Sequence, residues 1–464
     1  MPPGIVIFWR FGHFRRTRGA YHRSHAQILR VNKLSSLRKE RQRSQAMASK
    51  NIVKRAPIGR VTGSVASGDA LALRDYFRKA SETDRFTAEA AEDHYRELSF
   101  GFFGEIGGLL SALKKGKRDQ LTQPQSEVVG EELGDALWYL VNLASLSSVS
   151  IEELGRAGLS YLRQHFGEQP KEPPPKITFR AFDGITSLHH AHLARTSGRL
   201  LQQLAKETGD AVSHTLRDMQ ALDAQKRTLR LGGLLGLLAL VSAIYRLNLG
   251  VLAEKNLEKI ADRWPGRRPK HQLLATSGES HEQLPPYMEV TFVQRKVGSR
   301  ILVVQQINGL NIGDPLTDNS HRPDGYRFHD VFHLSYAVHL GWSPVIRALL
   351  KLKRKSDSKI DENEDGARAI IIEEGIATWI FNHSKRHKHY VEVEEGRLGY
   401  ALLKQVRGMV GGFQVADLPL WQWERSILEG FKVFRQLLEN KGGTVVANLN
   451  LHTLSYKPPV GAAR

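Results

Sequence analysis

The chain has 464 residues, of which 41% are hydrophobic and 25% are charged, so it is long enough for two or three globular domains. Because it contains no cysteine, disulfides, thiol nucleophiles and cysteine-ligated zinc are excluded, and the composition suits a reducing cytoplasm. The formal net charge of +19 is concentrated in residues 1–60, where 15 Lys/Arg and a single acid account for +14.

Residues 1–70 are therefore predicted to be a basic, disordered tail. Nucleic-acid binding is expected, if anywhere, only through this tail, and Met47 is an alternative start of the protein. The apolar run Ile5–Trp9 is too short for a secretory signal. The longest apolar stretch, Leu231–Tyr245, is shorter than the roughly 20 residues of a membrane span, so we predict a buried helix, no membrane partner and a cytoplasmic protein.

Helical patterns dominate the chain after the tail. A first unit, residues 71–168, ends at the proline-rich linker Glu168–Pro175, and a second helical unit covers residues 176–265. The helices predicted in the first unit are Ala72–Ala80, Ala88–Leu98, Phe102–Lys115, Ser126–Ser147 and Ile151–Phe166.

The C-terminal region, residues 285–455, has a different pattern. Tyr287–Gln294 and Arg300–Ile307 alternate in strand fashion about a Val-Gly-Ser turn and predict a β-hairpin, while Asn308–Pro323 is predicted to be a loop. The helices predicted to follow are Phe328–His339, Ser343–Lys353, Ala367–Asn382 and Leu420–Glu439. The predicted fold class is thus mainly α: a tandem helical bundle followed by an α+β domain with a short hairpin.

Three carboxylates fall on the apolar faces of two predicted helices. Glu105 lies beside Leu109, and Glu132 and Asp135 are three residues apart and so share one helical face. Buried carboxylates are costly unless a cation compensates them, and facing helices of a bundle commonly hold a metal in this way. Oxygen ligands of this kind favour Mg²⁺, with Mn²⁺ as the alternative.

The two helical units show signs of duplication. A shift of 98 residues places Asp135 on Gly233 and Ile151 on Leu249 with the apolar positions in agreement. The same shift places Glu132 on Arg230. The second unit is therefore predicted to keep the packing pattern of the first unit and to lack its carboxylates.

The segments Gly104-Glu105-Ile-Gly-Gly108-Leu-Leu and Glu132-Leu-Gly-Asp135-Ala-Leu-Trp-Tyr-Leu resemble the MazG-like all-α nucleoside triphosphate pyrophosphohydrolases. That resemblance implies Mg²⁺-dependent hydrolysis of a nucleoside triphosphate to the monophosphate and pyrophosphate. It assigns Glu105, Glu132 and Asp135 to the metal. Residues 285–440 more loosely resemble the helical domain that is often fused C-terminally to such proteins.

Further residues are carried over from the same resemblance. Asn256-Leu-Glu-Lys259 and Arg263 resemble the family's closing Asn-x-x-Lys helix, although they occur in the second unit, and Gly108 stands where the family has a second glutamate. We therefore expect one composite site, with carboxylates from the first unit and phosphate contacts from the second, in a chain that is also a possible homodimer. Glu97 or Glu127 are candidates for the missing ligand. Independently of the resemblance, their positions make Lys114 and Asn142 further substrate-binding candidates; the alternatives are a solvated helix end for Lys114 and a partly buried structural amide for Asn142.

A second possible metal site involves His329 and His333, which are one helical turn apart, together with Glu373 on another apolar helix. The alternative is a pair of buried histidines that are hydrogen-bonded to acids. Three functions therefore remain open: a pyrophosphohydrolase, a catalytically decayed nucleotide sensor or scaffold, and a metal-dependent hydrolase whose site lies in the C-terminal domain.

Overall fold

The computed structural model describes residues 70–87, 89–119, 124–266, 269–274 and 279–459. The predicted basic tail, apart from its last residue, lies outside the described residues. The described chain is mostly helical and ends in a small antiparallel sheet, which confirms the predicted mainly α fold with a C-terminal α+β domain.

The first nine helices of the described residues form one bundle. They are α1 Leu73–Ser81, α2 Ala91–Arg118, α3 Gln125–Leu146, α4 Ile151–His165, α5 Phe179–Ser187, α6 His190–Val212, α7 Leu216–Ala221, α8 Ala224–Ile244 and α9 Leu249–Arg263. Local signals set several of the boundaries. Ser150 and Glu153 form a capping box at the start of α4, and the Asp223 side chain caps α8.

The helix α2 is a single helix where the sequence predicted two. The predicted helices Ala88–Leu98 and Phe102–Lys115 are joined in one helix, which runs through Gly101, Gly104, Gly107 and Gly108 without interruption. Gly101 is needed for packing rather than for a turn, because a Cβ at this position would overlap the Tyr139 ring on α3. Tertiary packing therefore overrides the low helix propensity of glycine here.

The helices repeat in order and in spacing. Helices α1 to α4 correspond to α5, α6, α8 and α9, and α4 and α9 begin 98 residues apart. The segments just before α1 and α5 meet in an antiparallel bridge between Ala72 and Thr178. Since α4 packs on α8 and α3 packs on α9, the two halves are related by an approximate twofold axis.

The bundle core is continuous and apolar, and helix α8 is central to it. This helix is long and apolar enough to cross a membrane by length and composition alone, but 67% of its most apolar window is buried inside the protein. It is therefore accounted for as a core helix, as the sequence predicted. Its buried residues pack with those of α2, α3 and α4 in one hydrophobic cluster.

The C-terminal domain packs helices on a five-stranded antiparallel sheet. The strands are β1 Tyr287–Val297, β2 Arg300–Ile307, β3 Leu310–Leu316, β4 Gly442–Asn448 and β5 Thr453–Lys457, in the order β3-β2-β1-β4-β5. The helices are α10 Asp330–Leu340, α11 Pro344–Leu349, α12 Ser358–Asn363, α13 Ala367–Ser384, α14 Tyr400–Met409 and α15 Leu420–Glu439.

The prediction of a lone hairpin in this domain was incomplete. The hairpin of β1 and β2 is present, with Val297 opposite Arg300, but β3 lies inside the segment predicted to be a loop, and β4 and β5 were not predicted. The predicted helix Ser343–Lys353 is also shorter, since α11 ends at Leu349. The edge strand β3 is mostly exposed, so its sequence lacks the alternation of a half-buried strand.

The bundle and the C-terminal domain are held together by charged contacts. The guanidinium of Arg263 on α9 forms a buried ion pair with Glu424 on α15, and Arg407 binds both oxygens of Asp262 at 2.7 Å. The Trp264 indole donates to the Gly396 carbonyl at 3.1 Å. Helix α9 is therefore fixed on one side by the bundle and on the other by the C-terminal domain.

Candidate active site

Three carboxylates of the first unit converge between α2 and α3. Glu105 lies next to the buried Ile106 on α2, while Glu132 and Asp135 are one turn apart on α3 and flank its buried Leu133 and Ala136. Because the two helices pack along much of their length, Glu105 and Glu132 come within hydrogen-bonding contact. The carboxylates thus meet at a helix interface, as the sequence predicted, rather than in open solvent.

Gly108 makes room for one of these side chains. A Cβ at position 108 would overlap the carboxylate of Glu132, which lies against the backbone of α2 at this point. At Gly107, by contrast, a Cβ would meet no atom within 4 Å. Gly108, which stands where the resembled family has a glutamate, therefore provides the space that the Glu132 carboxylate occupies.

The carboxylates strongly perturb one another. Burial raises the pKa of Glu105 to about 8, and the negative charge of Asp135 and the hydrogen bond with Glu132 add to this effect. Burial also raises the pKa of Glu132. Glu105 consequently holds a proton at neutral pH and donates it to Glu132, which is the arrangement expected when like charges are brought together without a cation.

Helix α9 of the second unit brings polar and basic groups to the same place. Asn256 donates from Nδ2 to Asp135 Oδ1 at 2.9 Å, and the Lys259 ammonium binds the other oxygen of Asp135. The Asn256 amide is oriented by the Tyr76 hydroxyl, which donates to its Oδ1 at 2.8 Å. The carboxylates of one unit and the Asn-x-x-Lys segment of the other therefore form a single cluster.

Lys259 is held in its charged form. Burial opposes the charge, but Asp135 and Glu131 outweigh it and raise the pKa of Lys259 above its usual value. Lys404 of the C-terminal domain shares Glu131 at 2.7 Å, and these two lysines together lower the pKa of Glu131 although burial opposes the change. The cluster thus combines acids and fixed cations within one small region.

A cavity of about 410 Å³ opens onto this cluster. Its walls carry Glu105, Asp135, Asn256 and Lys259 together with aromatic side chains from three parts of the chain. The aromatic residues of the walls are Phe86, Trp138, Tyr139, Trp264 and Tyr400. The arginines Arg85 and Arg397 also line the cavity. The C-terminal domain contributes Tyr400 and Arg397, so the cavity lies between the bundle and that domain.

The position related to this cluster by the approximate twofold axis is filled by apolar packing. The 98-residue shift places Asn256 and Lys259 on Gly158 and Tyr161, and it places Asp135 on Gly233. The Tyr161 ring lies 3.6 Å from the Cβ that residue 233 would carry, and a Cβ at Gly158 would contact Phe182 at 3.0 Å. The duplicated bundle therefore has one polar cluster of this type among the described residues rather than two.

The donor set of the cluster fits a hard divalent cation. Glu105 and Glu132 share a proton that a cation would displace, and both offer carboxylate oxygens, which are the ligands that Mg²⁺ and Mn²⁺ prefer. Asp135 is already bound by Lys259 and Asn256 and so contributes its remaining lone pairs. Glu105, Glu132 and Asp135 are thus the residues that would hold such a cation.

Three of the predicted substrate-binding residues are not positioned to contact a phosphate. Lys114 is exposed near the end of α2 and does not line the cavity. The Asn142 side chain is buried and donates to the Trp138 carbonyl one turn earlier at 2.9 Å, which is a structural role. Arg263 lines the cavity, but its guanidinium is taken up by Glu424 and the Leu398 carbonyl. This geometry does not support a phosphate contact from any of the three.

Some residues of the cavity were not identified from the sequence. Tyr400 and Lys404 follow the carboxylates by more than 250 residues, and no motif marks them. The Lys259 ammonium lies 4.9 Å from the centre of the Tyr400 ring, so this tyrosine supports the lysine as well as closing the cavity. The neighbours Glu97 and Glu127, considered as replacement ligands, do not line the cavity.

The second predicted constellation forms a separate cluster in the C-terminal domain. His329 and His333 face each other near the start of α10, and the carboxylate that lies between their Nε2 atoms belongs to Glu374 of α13. The predicted third member, Glu373, is fully buried and binds the opposite ring nitrogen of His333 at 2.8 Å. The structure thus brings the two predicted histidines together, with Glu374 rather than its predicted neighbour Glu373 between them. It also shows the contacts of the alternative interpretation, because His333 is bound to Glu373 and His329 Nε2 lies 3.1 Å from Asp330 Oδ1.

In the comparison with known protein families, only the C-terminal part of the chain has a match. Residues 269–460, less than half of the chain, match the family model of the MazG C-terminal domain. The predicted resemblance of this region to a MazG-associated domain is thereby confirmed, whereas this match does not extend to the helical units of residues 71–265. No curated protein and no solved structure matches the chain.

Proposed function

We propose that the chain is a Mg²⁺-dependent nucleoside triphosphate pyrophosphohydrolase that cleaves between the α and β phosphates. The observation that carries this proposal is the cluster of Glu105, Glu132 and Asp135 with Asn256 and Lys259, four of which, all but Glu132, line one cavity. The similarity of residues 269–460 to a MazG C-terminal domain supports a nucleotide-related role for the whole chain. The nucleotide base and sugar are not specified by these observations.

The cavity has the groups that a nucleoside triphosphate requires. Trp138, Tyr139 and Tyr400 offer aromatic surface for the base, and Arg85, Arg397 and Lys259 offer positive charge for the phosphates. A volume of about 410 Å³ is within the usual range for a small-molecule site. The substrate would therefore lie with its base among the aromatic rings and its phosphates towards the carboxylates.

Catalysis would divide between the cation and the protein. A bound divalent cation neutralises phosphate charge and acidifies water, which is the chemistry that phosphoanhydride hydrolysis needs. Lys259 is fixed by Asp135 and supplies a positive charge beside the reacting phosphates. Once a cation has displaced the proton that Glu105 and Glu132 share, these two carboxylates would be the candidates to accept the proton of the attacking water.

The rival function is a nucleotide sensor that binds without hydrolysis. Its support is Gly108, which leaves the site with one acid fewer than the family pattern. The structure supplies a reason to prefer hydrolysis, because the Glu132 carboxylate occupies the space beside Gly108 and remains in contact with Glu105. The two functions differ in whether pyrophosphate is released.

A panel of nucleoside triphosphates with Mg²⁺ tests the proposal, with the products resolved as monophosphate, diphosphate or neither. For at least one substrate, wild type should release monophosphate and pyrophosphate. Glu132→Gln should lower the rate by about 100-fold or more, as expected for loss of a group that acts on the reacting atoms. The matched control is Glu127→Gln on the exposed start of α3, which should keep the wild-type rate.

Two outcomes would count against hydrolysis at this site. Nucleotide binding by wild type without any product would support the sensor. Equal pyrophosphate release by wild type and Glu132→Gln would move the activity to another part of the chain.

A further inference from the structure

The C-terminal domain contains a compact group of three metal-ligand side chains outside the proposed active site. His329, His333 and Glu374 each present one ligand atom, and these three atoms lie within 4.8 Å of one another. Each imidazole Nε2 is 3.5 Å from Glu374 Oε2. The cavity beside this group shares no lining residue with the cavity at Glu105 and Asp135.

Hydrogen bonds on the far side of both rings fix the tautomer of each histidine. His329 Nδ1 lies 2.9 Å from the Tyr326 carbonyl oxygen, which can only accept, so this nitrogen carries the proton. His333 Nδ1 lies 2.8 Å from Glu373 Oε1 and donates to it in the same way. These contacts on Nδ1 turn the Nε2 atoms of both rings towards Glu374, which is how metal-binding histidines are usually oriented. His329 Nε2 also lies 3.1 Å from Asp330 Oδ1, so Asp330 borders the same space.

One of these nitrogens is buried without a hydrogen-bond partner. His333 has no exposed surface, and its Nε2 makes no hydrogen bond. An unpaired polar atom in the interior is costly and calls for an explanation. A cation at the centre of the three ligand atoms supplies that explanation.

Glu373 orients the histidine and does not act as a ligand. Its Oε1 accepts hydrogen bonds from His333 and from the Ser343 hydroxyl at 2.7 Å, and its Oε2 accepts from the Val345 backbone N–H at 2.8 Å. Both oxygens are thus occupied on the side away from the cluster. Glu374, whose side chain is 40% exposed, faces the cavity instead.

We propose that His329, His333 and Glu374 bind a divalent transition-metal ion of the zinc type, with Glu373 as the positioning residue of His333. Two imidazoles and one carboxylate are a three-ligand set that suits Zn²⁺ and leaves a coordination position free. That position faces a cavity of about 710 Å³, which is lined by Asp314, Asp318, Asp330 and Lys385 among others. A small polar ligand can therefore reach the ion from this side.

Zinc binding by the full chain tests the proposal. The protein is stripped of metal with a chelator, equilibrated with Zn²⁺ in the presence of excess Mg²⁺, and dialysed before the bound zinc is counted. The excess Mg²⁺ serves to occupy the carboxylates at Glu105. The proposal expects one zinc ion per chain. Glu374→Gln should lower the affinity by at least about tenfold, and its partly exposed side chain makes it a safer change for folding than the buried His333.

Matched variants separate this site from incidental binding. His383 and His387 have stacked rings 4.8 Å apart in the same domain, so the double change to Gln controls for other histidine pairs and should retain the zinc. Glu105→Gln should also retain it, so that loss of the proposed hydrolase leaves this result unaffected. Bound Co²⁺ should give a visible absorption band in wild type that is lost in Glu374→Gln.

Two results would overturn the proposal. The first is far less than one zinc ion per chain in correctly folded wild type. The second is equal zinc affinity in wild type and Glu374→Gln. If the His383 and His387 double variant lost as much zinc as Glu374→Gln, the zinc would be assigned to that surface pair instead.

Discussion

At the scale of single residues, the placement of the Glu132 carboxylate depends on the absence of a side chain at Gly108. The carboxylate lies where the Cβ of any other residue would be, so the absence of a side chain is what keeps Glu132 beside Glu105. The sequence shows the departure from the family pattern but not its consequence. The consequence depends on how far apart the two helices lie, which no single position reveals.

Gly108→Ala should therefore impair the site without weakening the fold. Both Gly107 and Gly108 lie within α2, where replacing Gly by Ala gains up to about 1 kcal/mol of helix propensity. The atoms displaced at position 108 belong to the flexible end of Glu132, so the protein should stay folded while nucleotide hydrolysis falls at least about tenfold. Thermal denaturation and pyrophosphate release measure the two effects.

Gly107→Ala is the matched control for this change, because its Cβ would meet no neighbouring atom within 4 Å. It should show the same or greater gain in stability with full activity. If both alanine variants are equally active, the space at position 108 does not matter for the site.

The individual carboxylates of the cluster were more predictable from the sequence than the partners of the other polar residues. Glu105, Glu132 and Asp135 were identified because acids on apolar helix faces are anomalous in a soluble bundle. Asn142 and Arg263 were assigned to substrate by position, but burial gave them other contacts, with the Trp138 carbonyl and with Glu424. A sequence shows that a polar residue needs a partner but not which partner it finds.

At the scale of secondary-structure elements, α9 connects the two halves of the bundle at the site. It docks on α3 through Asn256 and Lys259, which both bind Asp135. Lys259→Met should leave Asp135 and Glu131 without their shared cation and lower the free energy of unfolding by about 1–3 kcal/mol. Denaturant unfolding without Mg²⁺ measures this loss.

The control on the same helix is Lys255→Met, which alters an exposed lysine and should change the stability by less than about 0.5 kcal/mol. A Lys259→Met variant as stable as wild type would show that the contact with Asp135 does not hold α9 in place.

Helices were predicted from sequence better than strands in this chain. The apolar periodicity of α15 gave its boundaries, Leu420–Glu439, without error. The strand β4 was not predicted, and it begins with two glycines, Gly442 and Gly443, which are unfavourable in strands. Both glycines have φ near +135°, and a Cβ at Gly443 would lie 2.8 Å from the Lys457 carbonyl oxygen of β5, so glycine is required there.

At the scale of the whole molecule, a buried ion pair is one of the contacts that join the bundle to the C-terminal domain. Arg263 and Glu424 are 3% and 1% exposed, and they join α9 to α15. Arg263→Met should lower the free energy of unfolding by about 3–5 kcal/mol, because it leaves a buried carboxylate without its cation. The double variant Arg263→Met and Glu424→Met should recover part of that loss.

Arg74→Met is a control for the loss of an arginine, since the pair of Arg74 with Glu152 lies at the surface and should contribute no more than about 1 kcal/mol. If Arg263→Met costs no more than Arg74→Met in denaturant unfolding, the buried pair does not join the two parts of the molecule.

The order of domains was readable from the sequence, but their joint contribution to the cavity was not. A hydrophobic pattern with a 98-residue repeat indicates two helical units, whereas the closure of the cavity by Tyr400 arises only when the C-terminal domain packs on α9. Contacts across such long sequence separations leave no local periodicity. This is why the acids on the apolar helix faces were identified from the sequence and the opposite wall of the cavity was not.

The most direct test of the account compares wild type with Glu105→Gln in Mg²⁺-dependent hydrolysis of the best nucleoside triphosphate. Because the raised pKa keeps Glu105 mostly protonated at pH 7, the neutral amide should leave the melting temperature without Mg²⁺ unchanged. Wild type should yield one monophosphate and one pyrophosphate per substrate, and the variant should yield neither. Undiminished pyrophosphate release by a folded Glu105→Gln protein would contradict the account.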